Sequence, residues 1–296
     1  MHIHDVAIIG AGPAGIAAAI QLRRYGMDFI LLERDEVGGL LRNANWVENY
    51  PGFPHGISGP VLVTQMRQHL QALEIEATNA EVTSLAFQGS EFTLATTPGE
   101  VHSRLLVIAS GTKPNRFQPS IISASASSRV FYEVYPLANL SGKKIAIVGG
   151  GDAAFDYALN LSRRNQVTIL QRGEHPTCLP LLVTRIRQAP DILHLPGTRL
   201  LSVGELPTGE LGLAYAGPEG EKQLQADYLI GALGRSPQLD FLPAGFQSIT
   251  SELESQGLLY WAGDVKNGLE RQTAIAVGNG IQAAMKIYRW LKESPQ

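Results

Sequence analysis

Cysteine is almost missing from this 296-residue sequence; its one instance is Cys178. A single thiol excludes an internal disulfide, a Cys-x-x-Cys dithiol and any cysteine-rich zinc or iron-sulfur site. No metal site is expected, and with no disulfide framework the cytoplasm is the default location. Blocks of one charge are also lacking. The net charge is −3, 17% of residues are charged, and no run of lysines or arginines occurs. A nucleic-acid surface or a polybasic membrane anchor therefore has no support. There is no uninterrupted run of about 18 apolar residues, so no membrane span is expected. Residues 6–20, VAIIGAGPAGIAAAI, are apolar, but no basic region precedes them and glycines interrupt them, unlike a signal-peptide core. What is present is 44% hydrophobic content in a chain longer than one average domain, which suggests two domains with sizeable cores.

The apolar run Asp5 to Ile9 reads as a buried strand. It leads into Gly10-Ala11-Gly12-Pro13-Ala14-Gly15, an apolar helical stretch to Tyr25, and a second strand, FILLE, ending at Glu33. In this order Gly10 permits the tight turn, Gly12 lets a pyrophosphate approach the backbone, and Gly15 lets the helix pack on the strand. The helix N-terminus offers N–H groups to phosphate. Glu33, 18 residues after Gly15, falls near the distance expected of a carboxylate that binds ribose hydroxyls.

A second unit repeats this logic. KKIAIV is a strand, Gly149, Gly151 and Ala154 supply the turn, Asp152 to Arg163 form a helix, and QVTILQ is the next strand. Two dinucleotide sites are implied. Between the units lie a helix over residues 59–73 and three alternating segments, EVTSLAF, EFTLATT and VHSRLLVIAS, that read as a β-meander. TRLLSVGEL, GLAYAG and KQLQADYLIGALG repeat that order after the second unit, so the chain is internally duplicated. Pro114, Pro119, Pro237 and Pro243 mark two crossings between the halves. The expected fold class is α/β, with two Rossmann-like domains, the second inserted into the first, each carrying a small β-meander. Residues 1–115 and 242–296 would form the first domain and 116–241 the second.

GAGPAG, EVGGLLRNANWVENYPGFP, LLVIASG, GGGDAA, DYLIGALGRSP and WAGDVKNGLERQTAIAVGNG occur in this order. With these blocks the chain resembles the low-molecular-weight thioredoxin reductases over nearly its full length. The resemblance implies FAD in the first site. The matching flavin-site positions are Gly10, Gly12, Pro13, Ala14, Gly15, Glu33, Arg34, Gly39, Leu40, Asn49, Val82, Ala109, Gly111, Asp264, Arg271, Gln272 and Thr273. Asp264 matches the aspartate that reaches the ribityl chain, and Arg271 and Gln272 the pair at the isoalloxazine edge. Taken singly, Asp264 reads equally as a helix cap and Arg271 as a solvated surface residue. Leu40 stands where those enzymes carry glutamine. The resemblance also implies NADPH or NADH in the second site, homodimerisation, and rotation between domains at the proline-marked crossings.

Those reductases place Cys-x-x-Cys-Asp beside the flavin. An ungapped count puts Tyr132-Glu133-Val134-Tyr135-Pro136 there, without either thiol or the acid. Reduction of a protein disulfide by thiolate exchange needs an attacking and a resolving sulfur, so thioredoxin reduction is not expected. Cys178, beyond the second strand of the second unit, reads as a packing or merely exposed thiol. VFYEVYPLANLSGKKIAIVGGGDAAFDYALNL is similar instead to ferredoxin:NADP oxidoreductases of the thioredoxin reductase type, which also lack the dithiol. Tyr132 and Tyr135 read as packing residues or as neighbours of the flavin face.

The second site is expected at Gly149, Gly151, Asp152, Ala153, Ala154, Arg172 and Arg235. NADPH-using relatives carry His-Arg-Arg after the second strand, where this chain has Gln171-Arg172-Gly173. Losing one charge-assisted pair weakens a 2′-phosphate clamp by about 1.5–3 kcal/mol. No side chain qualifies as a catalytic acid or base; the chemistry belongs to the flavin, with reacting atoms about 3.5 Å apart. Three readings stand: a flavin electron transferase driven by NAD(P)H with an unidentified acceptor, a flavoprotein reduced by ferredoxin or a similar protein, and a non-catalytic FAD-binding protein.

Overall fold

The structure, a computed structural model, describes residues 2–293. The chain runs β1 (Ile3–Ile9), α1 (Pro13–Arg24), β2 (Phe29–Glu33), α2 (Gly59–Ala72), β3 (Ala77–Asn79), β4 (Val82–Gln88), β5 (Glu91–Thr96), β6 (Gly99–Ile108) and β7 (Thr112–Pro114). It continues as β8 (Val130–Phe131), β9 (Lys144–Val148), α3 (Asp152–Leu161), β10 (Gln166–Leu170), α4 (Pro180–Gln188), β11 (Ile192–Leu195), β12 (Arg199–Glu205), β13 (Leu211–Gly217), β14 (Gly220–Ala226), β15 (Tyr228–Gly231) and β16 (Arg235–Pro237). It ends with α5 (Gln247–Ser255), β17 (Leu259–Trp261) and α6 (Thr273–Glu293). These form two units, Met1–Arg42 with Val47–Lys113 and Ser236–Gln296, and Asn43–Trp46 with Pro114–Arg235. The chain passes between them through β7 and β16, which pair as a two-stranded ribbon.

In the first unit the strand order is β3-β2-β1-β6-β5-β4, with β17 also on β6. β1 to β3, β6 and β17 are parallel to their neighbours, whereas the β4-β5-β6 meander is antiparallel. Alternation along β1 explains its two faces. Val6 and Ile8 join a core with Ala14, Ala18 and Leu22 of α1 and Ala283, Ala284 and Ile287 of α6. Ala7 and Ile9 join another with Phe92, Leu94, Phe246 and Leu253. Helices α1 and α6 meet closely because Gly280 lacks a side chain: a Cβ there would lie 2.0 Å from the Ala14 carbonyl oxygen.

The second unit has the same logic in a parallel sheet of order β11-β10-β9-β15-β8. Ile145 and Ile147 of β9 pack with Phe155 and Ala158 of α3 and Ile186 of α4. Ala146, between them, faces Leu200, Val203, Leu211 and Leu213 of the antiparallel sheet β12-β13-β14. This is the α/β class with Rossmann-like parallel sheets expected from the sequence.

The boundaries differ from the expected 115/116 and 241/242. The second return falls at 235/236 because Leu239, Phe241 and Leu242 pack into the core around Leu253 and Leu259. Residues Asn43–Trp46 group with the second unit, held there by side chains of its loops and of α3. Among the described residues no helix is long and apolar enough to cross a membrane.

Candidate dinucleotide sites

In the first unit the β1–α1 turn is shaped by its glycines. Gly10 has φ +100°, and a Cβ on it would lie 2.5 Å from the Ala109 carbonyl oxygen. A Cβ on Gly15 would lie 1.8 Å from the Gly10 carbonyl oxygen, so both positions are held by close backbone approach. Gly12 is different: a Cβ on it would meet nothing within 4 Å. Pro13 follows at the start of α1, no side chain caps the helix, and its first turn has no acid. The open space at Gly12 therefore faces an uncapped helix N-terminus, the arrangement that receives phosphate oxygens.

Glu33, at the end of β2, is fixed by two backbone donors. Ala11 N–H donates to Oε2 at 2.7 Å and Asp35 N–H to Oε1 at 3.0 Å. A carboxylate has about four lone-pair positions, so two donors leave acceptor capacity for ribose hydroxyls. Arg34 beside it forms exposed ion pairs with Asp35 and Glu81. Gly39 opens a 3-10 turn that contains Leu40, and a Cβ on Gly39 would lie 3.1 Å from Gly12 Cα. Ala109 follows β6 and its N–H donates to the Ile9 carbonyl at 2.9 Å; Gly111, at φ +66°, accepts from Gln238 N–H at 3.0 Å. Val82 is buried at the start of β4.

The late segment returns to this turn. Gly263, at φ +78°, precedes Asp264 and packs on the first turn of α1, where a Cβ would lie 2.8 Å from Ala14 Cβ. Arg271 and Gln272 precede Thr273 at the start of α6. Asn49 Nδ2 donates to Gln272 Oε1 at 2.7 Å, so two residues 223 positions apart share one edge. In the same late segment Asn267 Nδ2 is buried and makes no hydrogen bond among the described residues. The open Gly12 cradle, the uncapped helix, the Glu33 carboxylate and this spare donor fit FAD.

The second unit keeps the turn and alters its surroundings. Gly149 has φ +157°, and a Cβ there would lie 2.5 Å from the Ala232 carbonyl oxygen. Ala154 is buried where helix meets strand, Ala153 is exposed, and Gly151 is the N-cap of α3. Asp152 places a carboxylate in the first turn of α3, unlike α1. Its Oδ1 accepts Leu179 N–H at 2.8 Å, and Thr177 N–H donates to the Gly150 carbonyl at 2.9 Å. The loop over residues 177–179 is thereby tied to the glycine turn. An anionic side chain at a helix N-terminus competes electrostatically with a phosphate.

Gln171 is buried and committed internally. Its Nε2 donates to the Gly173 carbonyl at 2.7 Å, its Oε1 lies 3.0 Å from His194 Nε2, and a Cβ on Gly150 would be 2.9 Å from its Cγ. Arg172 is exposed and has no partner among the described residues, so its guanidinium is available to an anion. Arg235 is engaged: its guanidinium donates to Glu133 Oε1 at 2.6 Å, with both side chains about three-quarters buried or more.

Glu133 is the residue that sequence reasoning passed over in favour of the flanking tyrosines. Besides Arg235 it accepts from Asn43 Nδ2 at 2.8 Å and Tyr157 Oη at 3.3 Å. Burial and the Glu133 carboxylate hold the Tyr157 phenol well above its ordinary value, so it remains a donor. An acid in the otherwise apolar and aromatic run VFYEVY was the available signal. Tyr132 packs beside Phe117 under Arg116, and its hydroxyl accepts Phe117 N–H at 3.2 Å. Tyr135 is 40% exposed, and its N–H donates to Asn43 Oδ1 at 3.0 Å. Cys178 is half-buried, and burial together with the Asp152 carboxylate pushes its thiol up, away from thiolate.

Two sheets with parallel strands, in each of which one strand (β1, β9) leads through a glycine turn into a helix (α1, α3), define a protein with two dinucleotide-binding folds. Residues 4–280 match the family model described as pyridine nucleotide-disulphide oxidoreductase, and the chain belongs to that family. It is similar to the bifunctional thioredoxin reductase/thioredoxin of Mycobacterium leprae, at 28% identity over 98% of this chain and 66% of that protein. It is 30% identical to NADPH-dependent thioredoxin reductase 3 of Arabidopsis thaliana, over 98% of this chain and 58% of that protein. The chain thus spans somewhat under two thirds of these two relatives. Among solved structures, thioredoxin reductase of Lactococcus lactis superposes with TM-score 0.87 at 27% identity, covering 98% of this chain and 100% of that one.

Proposed function

We propose that the protein is an FAD-dependent oxidoreductase that takes electrons from NADPH or NADH and passes them to an acceptor without a redox-active disulfide. The observation that carries this reading is the engagement of Tyr132–Pro136. Tyr132 bonds backbone and Glu133 bonds Arg235, in a chain whose one thiol is held protonated elsewhere. Bound FAD would supply reversible two-electron chemistry. The chain's part is binding and orientation: Gly12 and the α1 N–H groups hold pyrophosphate, and Glu33 holds ribose. Asp264, Asn49 and Gln272 supply polar groups beyond them, and Arg172 offers one cation to a nicotinamide phosphate. We also propose a homodimer, which rests on the resemblance to the low-molecular-weight thioredoxin reductases alone.

A second reading has an observation of its own. Asp152 in the first turn of α3 and the inward Gln171 both weaken the case for a nicotinamide nucleotide, and favour reduction by a ferredoxin-like protein. Anaerobic mixing of the purified protein with NADPH, NADH or reduced ferredoxin separates the readings. Bleaching of the visible flavin band within the mixing experiment by a nicotinamide supports the first; bleaching by reduced ferredoxin alone supports the second. Bleaching by neither refutes both. Turnover of thioredoxin by the NADPH-reduced protein would refute the absence of a disulfide step.

A further inference from the structure

At the opposite end of β1 from the glycine turn, three side chains converge that no dinucleotide chemistry uses. His2 immediately precedes β1 and His4 is its second residue, so the extended chain's alternation puts both imidazoles on one face. Asp28 immediately precedes β2, the parallel neighbour of β1. His2 Nε2 lies 2.9 Å and His4 Nδ1 3.0 Å from the same oxygen, Asp28 Oδ2, and the two rings are edge-to-face with centroids 4.4 Å apart. All three donor atoms lie within 4.8 Å of one another.

We propose that His2, His4 and Asp28 form a surface site for a divalent transition-metal ion, Zn²⁺ being the fitting one. Two neutral imidazoles and a carboxylate suit borderline cations; the all-oxygen sites of Mg²⁺ and Ca²⁺ and the thiolate sites of softer ions use other donors. Distances decide whether the side chains can close on a metal. Bonds of about 2.0–2.2 Å in a tetrahedron separate ligand atoms by about 3.3–3.6 Å. The nitrogen–oxygen separations of 2.9 and 3.0 Å need only open by a few tenths of an ångström, within reach of side-chain torsions. The metal would replace the protons now shared with Asp28 Oδ2, and water would fill the open position because the His2 side chain is 68% and the Asp28 side chain 47% exposed.

The site's place argues for a staple rather than a redox role. β1 has seven residues, so at about 3.3 Å each its two ends are roughly 20 Å apart. Glu33 and the Gly10 turn lie at the far end. Zn²⁺ has no redox chemistry, and at this position it would tie the start of β1 to the entry of β2. Hydrogen bonds among such exposed groups contribute little to stability by themselves.

The test is calorimetric titration of ZnSO₄ into full-length, flavin-containing protein previously dialysed against chelator, beside His2→Gln, Asp28→Asn and Cys178→Ser. One Zn²⁺ per chain is expected. Each of the first two variants should weaken binding at least about tenfold at unchanged flavin content, and Cys178→Ser should leave it unaltered. X-ray absorption of the zinc-loaded protein should show imidazole scattering and no sulfur. Binding that survives in both His2→Gln and Asp28→Asn, loss in Cys178→Ser, or no stoichiometric binding would overturn the proposal.

Discussion

Asp156→Asn should make the protein's stability less sensitive to pH, in a direction and size that the surroundings of the carboxyl fix. Asp156 lies on α3 and accepts Asn45 N–H at 2.8 Å. Burial raises its pKa from the ordinary 3.8 to about 6, against the lowering influence of the Asn45 and Trp46 N–H groups and Arg163. A raised acid binds its proton more tightly folded than unfolded. Its stabilising contribution is therefore complete below about pH 3.8 and lost as pH rises through about 6. At 1.36 kcal/mol per pH unit the whole loss is about 3 kcal/mol, of which about 1.4 kcal/mol falls between pH 5 and 7.5. Asparagine does not titrate. The unfolding free energy of the variant relative to the parent should thus rise by about 1.4 kcal/mol across that interval, whatever constant offset the altered hydrogen bonds impose. Urea unfolding of both proteins by circular dichroism at pH 5 and pH 7.5 measures the difference. A relative stability that is flat, or that falls as pH rises, would refute the assignment of a buried, proton-binding carboxyl.

Gly12→Glu should give poorly flavinylated protein, because the added carboxylate enters the open space before α1 and repels pyrophosphate; normal flavin absorbance per chain would overturn the first site. Cys178→Ser should leave NAD(P)H-driven ferricyanide reduction within about twofold, and a loss beyond ~100-fold would restore a single-cysteine mechanism. Arg172→Ala should raise the Kd for NADPH about tenfold, or about 1.4 kcal/mol, while changing NADH little; equal effects on both nucleotides, measured by calorimetry, would argue against 2′-phosphate reading.

Elements whose apolar period agrees with their burial were legible in the sequence. FILLE is β2 with Glu33 as its last residue, and the helix expected over residues 59–73 is α2 at Gly59–Ala72. The duplicated order of glycine turn and β-meander gave the fold class, since each half must bury both faces of a parallel sheet. Short elements were not legible. β3 and β8 have three and two residues, too few for a period to register, and exist because an adjacent parallel strand supplies partners. α5 was hidden behind Pro243, which marked a crossing between the halves; Leu253 and Phe246 carry it into the core of the first unit.

The two glycine turns show why a motif's spacing determines backbone shape more fully than ligand affinity. Gly10 and Gly149 both take positive φ and both sit where a Cβ would strike a carbonyl oxygen 2.5 Å away, so the two turns make the same steric demand at their first glycine. Their electrostatics differ by one side chain. The first turn of α1 has no acid, whereas α3 begins with Asp152, already bonded to Leu179 N–H. An acid in the first turn is normally a favourable helix-dipole contact worth about 0.3–1 kcal/mol. It stabilises α3 and opposes a phosphate at the same place. The sequence placed Asp152 among the residues of the second nucleotide site; its cost to an anion appears when the loop over residues 177–179 is seen folded against the turn. The same division holds at Tyr132–Pro136, where spacing located the stretch and only packing revealed that Glu133 anchors it through Arg235, Tyr157 and Asn43.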